Sequence, residues 1–143
     1  MKLTVPAVHA EVVIRALNAG KHVSSEKPLV LALNEARQMV ELAYLQGLRL
    51  GCVPDAVLGA GLQTACEVLG SGVPITPLPA TAVMVNHGHE SWHPAPAFYY
   101  RPGAGPMFDV GPYYLSALIH LLGPVEQVSG TTQTSFAEHA ITC

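Results

Sequence analysis

Glu26, Lys27 and Pro28 follow His22-Val23-Ser24-Ser25, a short run that reads as a strand leaving a core. Pro28 fixes its own φ and favours an extended Lys27. An anion and a cation are thereby held at a strand's carboxyl end, where α/β sheets bind ligands. A second stretch, His89-Glu90-Ser91-Trp92-His93, spells His-Glu-x-x-His. That pattern serves zinc peptidase chemistry only on a helix, where the two histidines share a face. Gly88 precedes it, Pro94 and Pro96 follow, and no amphipathic period surrounds it. It reads instead as a loop whose His89, Trp92 and His93 contact substrate hydroxyls, a lining that suits the apolar faces and polar rim of a sugar. A zinc-dependent hydrolase through His89, Glu90 and His93 is the distant alternative, and no metal ligand is assigned. Asp109 opens a helical run that includes Tyr113, and its short polar side chain suits an N-cap. His120, seven residues beyond Tyr113, reads as a partly buried histidine.

The elements that must position these residues are read from periodicity. Residues 1–5 read as the end of a strand. Pro6 suits a first helical turn, Val13, Ala16 and Leu17 recur at helical spacing, and Gly20 ends that helix. Asn34 reads as the N-cap of a second helix with Ala36, Met39, Val40 and Ala43 on its apolar face, closed by Gly47. Residues 48–53 form an apolar strand. Residues 4–53 thus read as strand–helix–strand–helix–strand, part of a doubly wound sheet, and Pro54 marks a domain boundary. A third helix carries Leu62, Ala65, Cys66 and Leu69 on one face and closes at Ser71-Gly72. Residues 73–79 read as loop, and residues 80–86 and 125–135 as strands. Residues 87–105 form a long aromatic loop of the kind that carries function. Residues 109–122 read as one helix, with Leu115, Leu118, Ile119 and Leu122 facing a core.

Glu26-Lys27-Pro28, Pro6-Ala7-Val8-His9 and Ala16-Leu17-Asn18-Ala19-Gly20-Lys21-His22-Val23, together with residues 103–123, occur in an order that resembles the Gfo/Idh/MocA oxidoreductases. This is the family of glucose–fructose oxidoreductase and inositol dehydrogenase. The resemblance implies an α/β fold: the C-terminal part of a Rossmann-like sheet over residues 1–53, then the start of a mostly antiparallel α+β substrate and dimerisation domain over residues 54–143. It implies NAD or NADP as cofactor, a sugar- or inositol-like substrate and a homo-oligomer. Lys27 is expected beside the nicotinamide and the reacting carbon, with His9, Glu26 and Pro28 completing the cofactor contacts. Asp109 and Gly111 match the family's Asp-x-Gly-x-His helix start. Tyr113 stands where the histidine belongs, and Ser116 where an aspartate often follows. Lys27 as a neutral amine, or Tyr113 as a phenolate beside an ammonium, is expected to take the hydroxyl proton, with Asp109 orienting one of them. Tyr113 is also expected to meet substrate.

No Gly-x-Gly-x-x-Gly precedes residue 4. The nearest string, Gly59-Ala60-Gly61-Leu62-Gln63-Thr64, has a threonine at the third glycine position and reads as a domain crossover. The expectation is a fragment of a longer oxidoreductase; the alternative is a non-catalytic remnant or ligand-binding module. Composition narrows the partners. Of 143 residues, 12% are charged and 50% hydrophobic, with net charge -3 and no basic block, which argues against nucleic acid or an anionic membrane. No run is long and apolar enough to span a bilayer. His9 and Glu11 interrupt any leader-like apolar stretch, and Cys52, Cys66 and Cys143 show no paired spacing, which points to a reducing, cytoplasmic setting.

Overall fold

The computed structural model describes residues 4–53, 55–73 and 76–141. A 3-10 turn at Pro6–Val8 leads into helix α1 (His9–Asn18). Strand β1 (Val23–Ser25), helix α2 (Leu33–Leu45) and strand β2 (Leu50–Cys52) follow. The strands pair in parallel, Val23 opposite Leu50 and Ser25 opposite Cys52, with α2 as the crossover. Gly20 and Gly47, at φ +70° and +64°, let the chain leave α1 and α2 for the strands. Val13 and Leu17 from α1, Val23 from β1, and Met39 and Ala43 from α2 form one buried cluster. Its spacing follows from the 3.6-residue period.

The Rossmann-like layer therefore forms as the residues suggest, with local corrections. Residues 1–3 of the expected first strand lie outside the described residues, and Thr4 and Val5 are not in a strand. Asn34 is not the cap of α2. The cap position is Ala32, extended at φ -126° and ψ 139°, and no side chain bonds there. Val40 is exposed, because Met39 and Ala43 already define the buried stripe and Val40 falls off its edge. The two strands are shorter than read, three residues each.

The second half departs further. After a 3-10 turn at Asp55–Leu58 comes helix α3 (Ala60–Gly70), with Gly59 as its cap, so the glycine string does not directly follow a strand. The expected boundary residue, Pro54, lies outside the described residues. Residues 80–86 and 125–135 are not strands; nearly all are exposed and have no ladder partner. Alternation alone cannot hold a strand without a neighbour to pair with. Among the described residues no strand follows β2, so the antiparallel sheet is not seen. The long loop contains a 3-10 turn at Pro96–Tyr100. The single helix expected over residues 109–122 is two: α4 (Pro106–Asp109) and α5 (Gly111–Leu122), broken at Val110. Asp109 thus ends α4, and the cap position of α5 belongs to Val110. Leu115, Ile119 and Leu122, expected in a core, are each more than two-fifths exposed.

Candidate active site

The chain turns at Lys27–Pro28 directly after β1, with a cis peptide bond between them. Glu26 accepts the backbone N–H of Lys27 at 2.9 Å, which fixes the corner from its own side chain. Beneath it lies His9, fully buried at the start of α1, with Nδ1 2.6 Å from the Pro28 carbonyl and Nε2 2.9 Å from the Thr4 carbonyl. His9 was expected to touch cofactor; fully enclosed and bonded at both nitrogens, it holds the corner instead.

Lys27 reaches across the fold to Asp109. Its Nζ lies 2.5 Å from Oδ1 and 2.7 Å from the backbone carbonyl of the same residue, 82 positions away in sequence. Both side chains are about four-fifths buried, so the pair is shielded from water and stronger than a surface pair. The same Nζ sits 5.4 Å from the centre of the Tyr113 ring, a cation–π distance. The other carboxylate oxygen of Asp109 is 3.4 Å from Nε2 of His89. Lys27, Asp109 and Tyr113 thus come together from β1's exit, the end of α4 and the first turn of α5.

Lys27 and Asp109 border a cavity of about 390 Å³, within the range of small-ligand sites, and Tyr113 does not line it. Glu26, Lys27, Pro28 and Asp109 line it, with Val5, Pro6, Phe98 and Phe108 as apolar walls. Phe98 and Phe108 were not singled out as site residues. Their signal was the aromatic cluster beside Gly103 and Gly105, whose φ values of +85° and +86° bend the loop toward the corner. Gly103 is pressed against the Leu31 side chain, leaving no room for a Cβ. Tyr99 also lines the cavity, and burial, with the Asp109 charge adding to it, pushes its phenol up from the usual range.

The three loop residues expected to meet substrate lie as follows. His89 is buried and stacks on Tyr99 at 3.7 Å between ring centres, while Trp92 is mostly exposed. His93 receives the backbone N–H of Ala95 at Nδ1 and packs edge-on against Phe98 and Tyr99. None of the three lines the cavity beside Lys27. Their stretch is a turn, not a helix: the His89 carbonyl receives the N–H groups of both Trp92 and His93. The zinc-peptidase arrangement is therefore not formed. Glu90 instead bonds His139, at 2.6 Å, and Tyr100, and both of these partners line a second cavity of about 560 Å³. His120 is exposed on α5 and lines neither cavity.

A nicotinamide ring fits the first cavity in kind: its lining combines the aromatic Phe98, Tyr99 and Phe108 with the charged Glu26, Lys27 and Asp109. Comparison with known proteins bears on the family of the chain. The chain is 32% identical over 126 residues to an uncharacterized oxidoreductase of Schizosaccharomyces pombe, covering 82% of this chain and 32% of that protein. It is 29% identical over 119 residues to galactose 1-dehydrogenase of Pseudomonas fluorescens, covering 83% of this chain and 36% of the relative. It thus spans about a third of the length of these relatives. Among solved structures it resembles the WlbA (WbpB) dehydrogenase from Thermus thermophilus in complex with NAD and UDP-GlcNAcA. The TM-score is 0.70 at 22% identity, over 92% of this chain and 42% of the other, a likeness of fold. Residues 3–52 match a family model described as oxidoreductase family, NAD-binding Rossmann fold. Residues 62–142, more than half of the chain, match the GFO/IDH/MocA C-terminal domain, and the chain belongs to the Gfo/Idh/MocA oxidoreductase family.

Proposed function

We propose that this chain carries the reacting end of an NAD- or NADP-dependent oxidoreductase acting on a hydroxyl or carbonyl of a sugar-like substrate. Residues 1–53 contribute to the nucleotide domain and residues 54–143 to the substrate and oligomerisation domain of a homo-oligomer. The sugar named in the relative galactose 1-dehydrogenase supports the substrate class. The observation that carries the reading is the Lys27–Asp109 pair in the lining of a cavity that also has apolar walls.

When bound, the nicotinamide supplies the hydride acceptor or donor. Glu26 and Pro28 border its place, and Lys27 faces it from a corner that His9 holds from below. In the oxidative direction Nζ of Lys27 takes the hydroxyl proton, and in reduction it returns one. Asp109 fixes Nζ by two contacts and balances its charge, while the Tyr113 ring lies 5.4 Å from it. In this reading Tyr113, whose ring does not line the cavity, acts on the Lys27 amine and not on substrate.

A positioned acid or base contributes about 10²–10⁴-fold to rate. Lys27→Ala should lower kcat by about that factor while leaving nucleotide affinity within about tenfold. Lys27→Arg should fail nearly as badly, because a guanidinium does not give up its proton at working pH. Steady-state kinetics with a panel of aldoses and polyols, alongside nucleotide titration by fluorescence, reads both. Near-full turnover in Lys27→Ala would make the corner a structural feature and end this reading.

A further inference from the structure

The second cavity, of about 560 Å³, has no part in the reading above. It lies beside the first along one segment of chain. Gly103 and Ala104 border the first cavity, Gly105 and Pro106 the second, and Phe108 and Asp109 the first again. Tyr99 borders both, fixed there by His89, stacked at 3.7 Å between ring centres, and by Phe98 at 4.0 Å. The two linings differ in chemistry. Glu26, Lys27 and Asp109 put three charged side chains on the first. The second offers the amides and hydroxyls of Asn86, Gln133, Thr134 and Ser135, three histidines, and the rings of Tyr100 and Phe136. No lysine, arginine, aspartate or glutamate borders it among the described residues. Glu90 braces this wall without lining it: its Oε1 meets Nδ1 of His139 at 2.6 Å, and the Tyr100 hydroxyl donates to the same carboxylate. Gly88 makes space for the brace, since a Cβ there would strike the Glu90 carboxylate and the Tyr100 hydroxyl. Nε2 of His139 and the side chains of Gln133, Thr134 and Ser135 have no hydrogen-bond partner among the described residues.

Such a lining suits a neutral, hydroxyl-rich group. Amide and hydroxyl side chains both donate and accept, as sugar hydroxyls do, and aromatic rings cover apolar ring faces. A phosphate calls for arginine, lysine or open backbone N–H groups at a helix start. Here α4 opens with Pro106, which has no N–H, and the N–H groups of Phe108 and Asp109 already bond the Gly105 carbonyl. Resting on the functional reading above, we propose that the second cavity is a subsite for an uncharged sugar ring, joined by a glycosidic bond to the ring that reacts beside Lys27. The substrate class is then a neutral disaccharide or longer glycoside, with Tyr99 at the crossing between its two rings. A free hexose leaves the second cavity to water, and a nucleoside diphosphate sugar brings to it phosphates that its lining does not match.

Steady-state kinetics of the whole protein that bears this chain, with NAD and with NADP, test the subsite. The probes are glucose and galactose, the disaccharides cellobiose, maltose, lactose and melibiose, and UDP-glucose and UDP-galactose. At least one disaccharide should exceed both hexoses in kcat/KM by ~10-fold or more, because the remote ring adds binding energy. Thr134→Trp, which fills the cavity, and Phe136→Ala, which removes a ring from its lining, should each cut that disaccharide-to-hexose ratio by about tenfold. Both side chains are exposed, so neither change removes a packed core group, and each variant carries the test without the other. Hexoses used as well as every disaccharide, a UDP-hexose as the best substrate, or a ratio within about twofold of wild type in either variant overturns the proposal. If Lys27→Ala is slow while no disaccharide is preferred, only this inference falls. If Lys27→Ala keeps full turnover, or none of these sugars is turned over, the functional reading falls with it.

Discussion

Helices α1 and α5 have ten and twelve residues, and α5 is the more apolar of the two. Yet α1 buries Val13 and Leu17 completely, whereas α5 buries no residue, with Leu115 and Ile119 each 45% exposed. The difference lies in their neighbours. Helix α1 is wedged against β1 and α2, two elements that present apolar stripes of their own. Helix α5 rests on α3, α4 and a short 3-10 turn, and no sheet covers its outer face among the described residues. A hydrophobic sequence makes burial favourable, and only an opposing surface makes it happen. The second half is fastened to the first at the site itself, where Lys27 meets Asp109 and Gly103 seats against Leu31.

Four measurements would break or sharpen this contrast. Leu17→Ala should have the largest effect, about 2–5 kcal/mol, since it opens a cavity in the buried cluster of α1, β1 and α2. Urea unfolding reads it, and a loss below about 1 kcal/mol would mean that the cluster does not hold the fold.

Gly103→Ala comes next. The new methyl would collide with Leu31, and the backbone there has φ +85°, which a residue with a Cβ adopts at a cost. The expected loss is roughly 1–3 kcal/mol, with weaker substrate binding as the loop lifts from the corner. Unchanged stability and unchanged KM would show that the two halves are fastened elsewhere.

Ile119→Ala, on the half-exposed face of α5, should cost less than about 1 kcal/mol at low protein concentration. Repeating the unfolding at a hundredfold higher concentration sharpens the comparison. A larger loss at high concentration would identify that face as one covered by self-association.

The smallest effect concerns pH. The Tyr100 hydroxyl first, then its own backbone N–H and His139, hold the Glu90 carboxyl at about 2 instead of its ordinary 4.5. The same bond pushes the Tyr100 phenol up. A carboxylate with a depressed folded-state pKa contributes above its ordinary value, and that contribution disappears as pH falls through the lowered one. Residues 133–139 should therefore stay docked from pH 7 to 4.5 and loosen progressively between about 4.5 and 2. Near-UV circular dichroism follows the loss, and Glu90→Gln should already show the loosened signal at pH 7. An identical acid profile in that variant would remove Glu90 from the account.

Local chemistry was legible where one turn of chain decides the outcome. The Val13–Leu17 stripe, the glycine exits at Gly20 and Gly47, and the Glu26-Lys27-Pro28 corner all follow from periodicity and backbone sterics within a few residues. Helix caps were less legible, because Ala32 and Val110 occupy cap positions without a bonding side chain and leave no compositional signal. The strands expected at residues 80–86 and 125–135 failed for another reason. A strand is a statement about a partner, and alternation specifies only that a partner would be useful.

The candidate site divides along the same line. Sequence alone placed a lysine at the end of a strand and an aspartate at a helix boundary, and it marked Tyr113 as the departure from the family motif. Only the folded chain decided that Lys27 and Asp109 meet, that His9 supports the corner from inside, and that His89 turns inward while Trp92 turns out. Those outcomes depend on contacts between residues 19 to 82 positions apart or on which face of a turn the core can seal. Short-range sterics and periodicity cannot encode either. Closing such long loops is repaid only by the packed contacts that tertiary structure supplies.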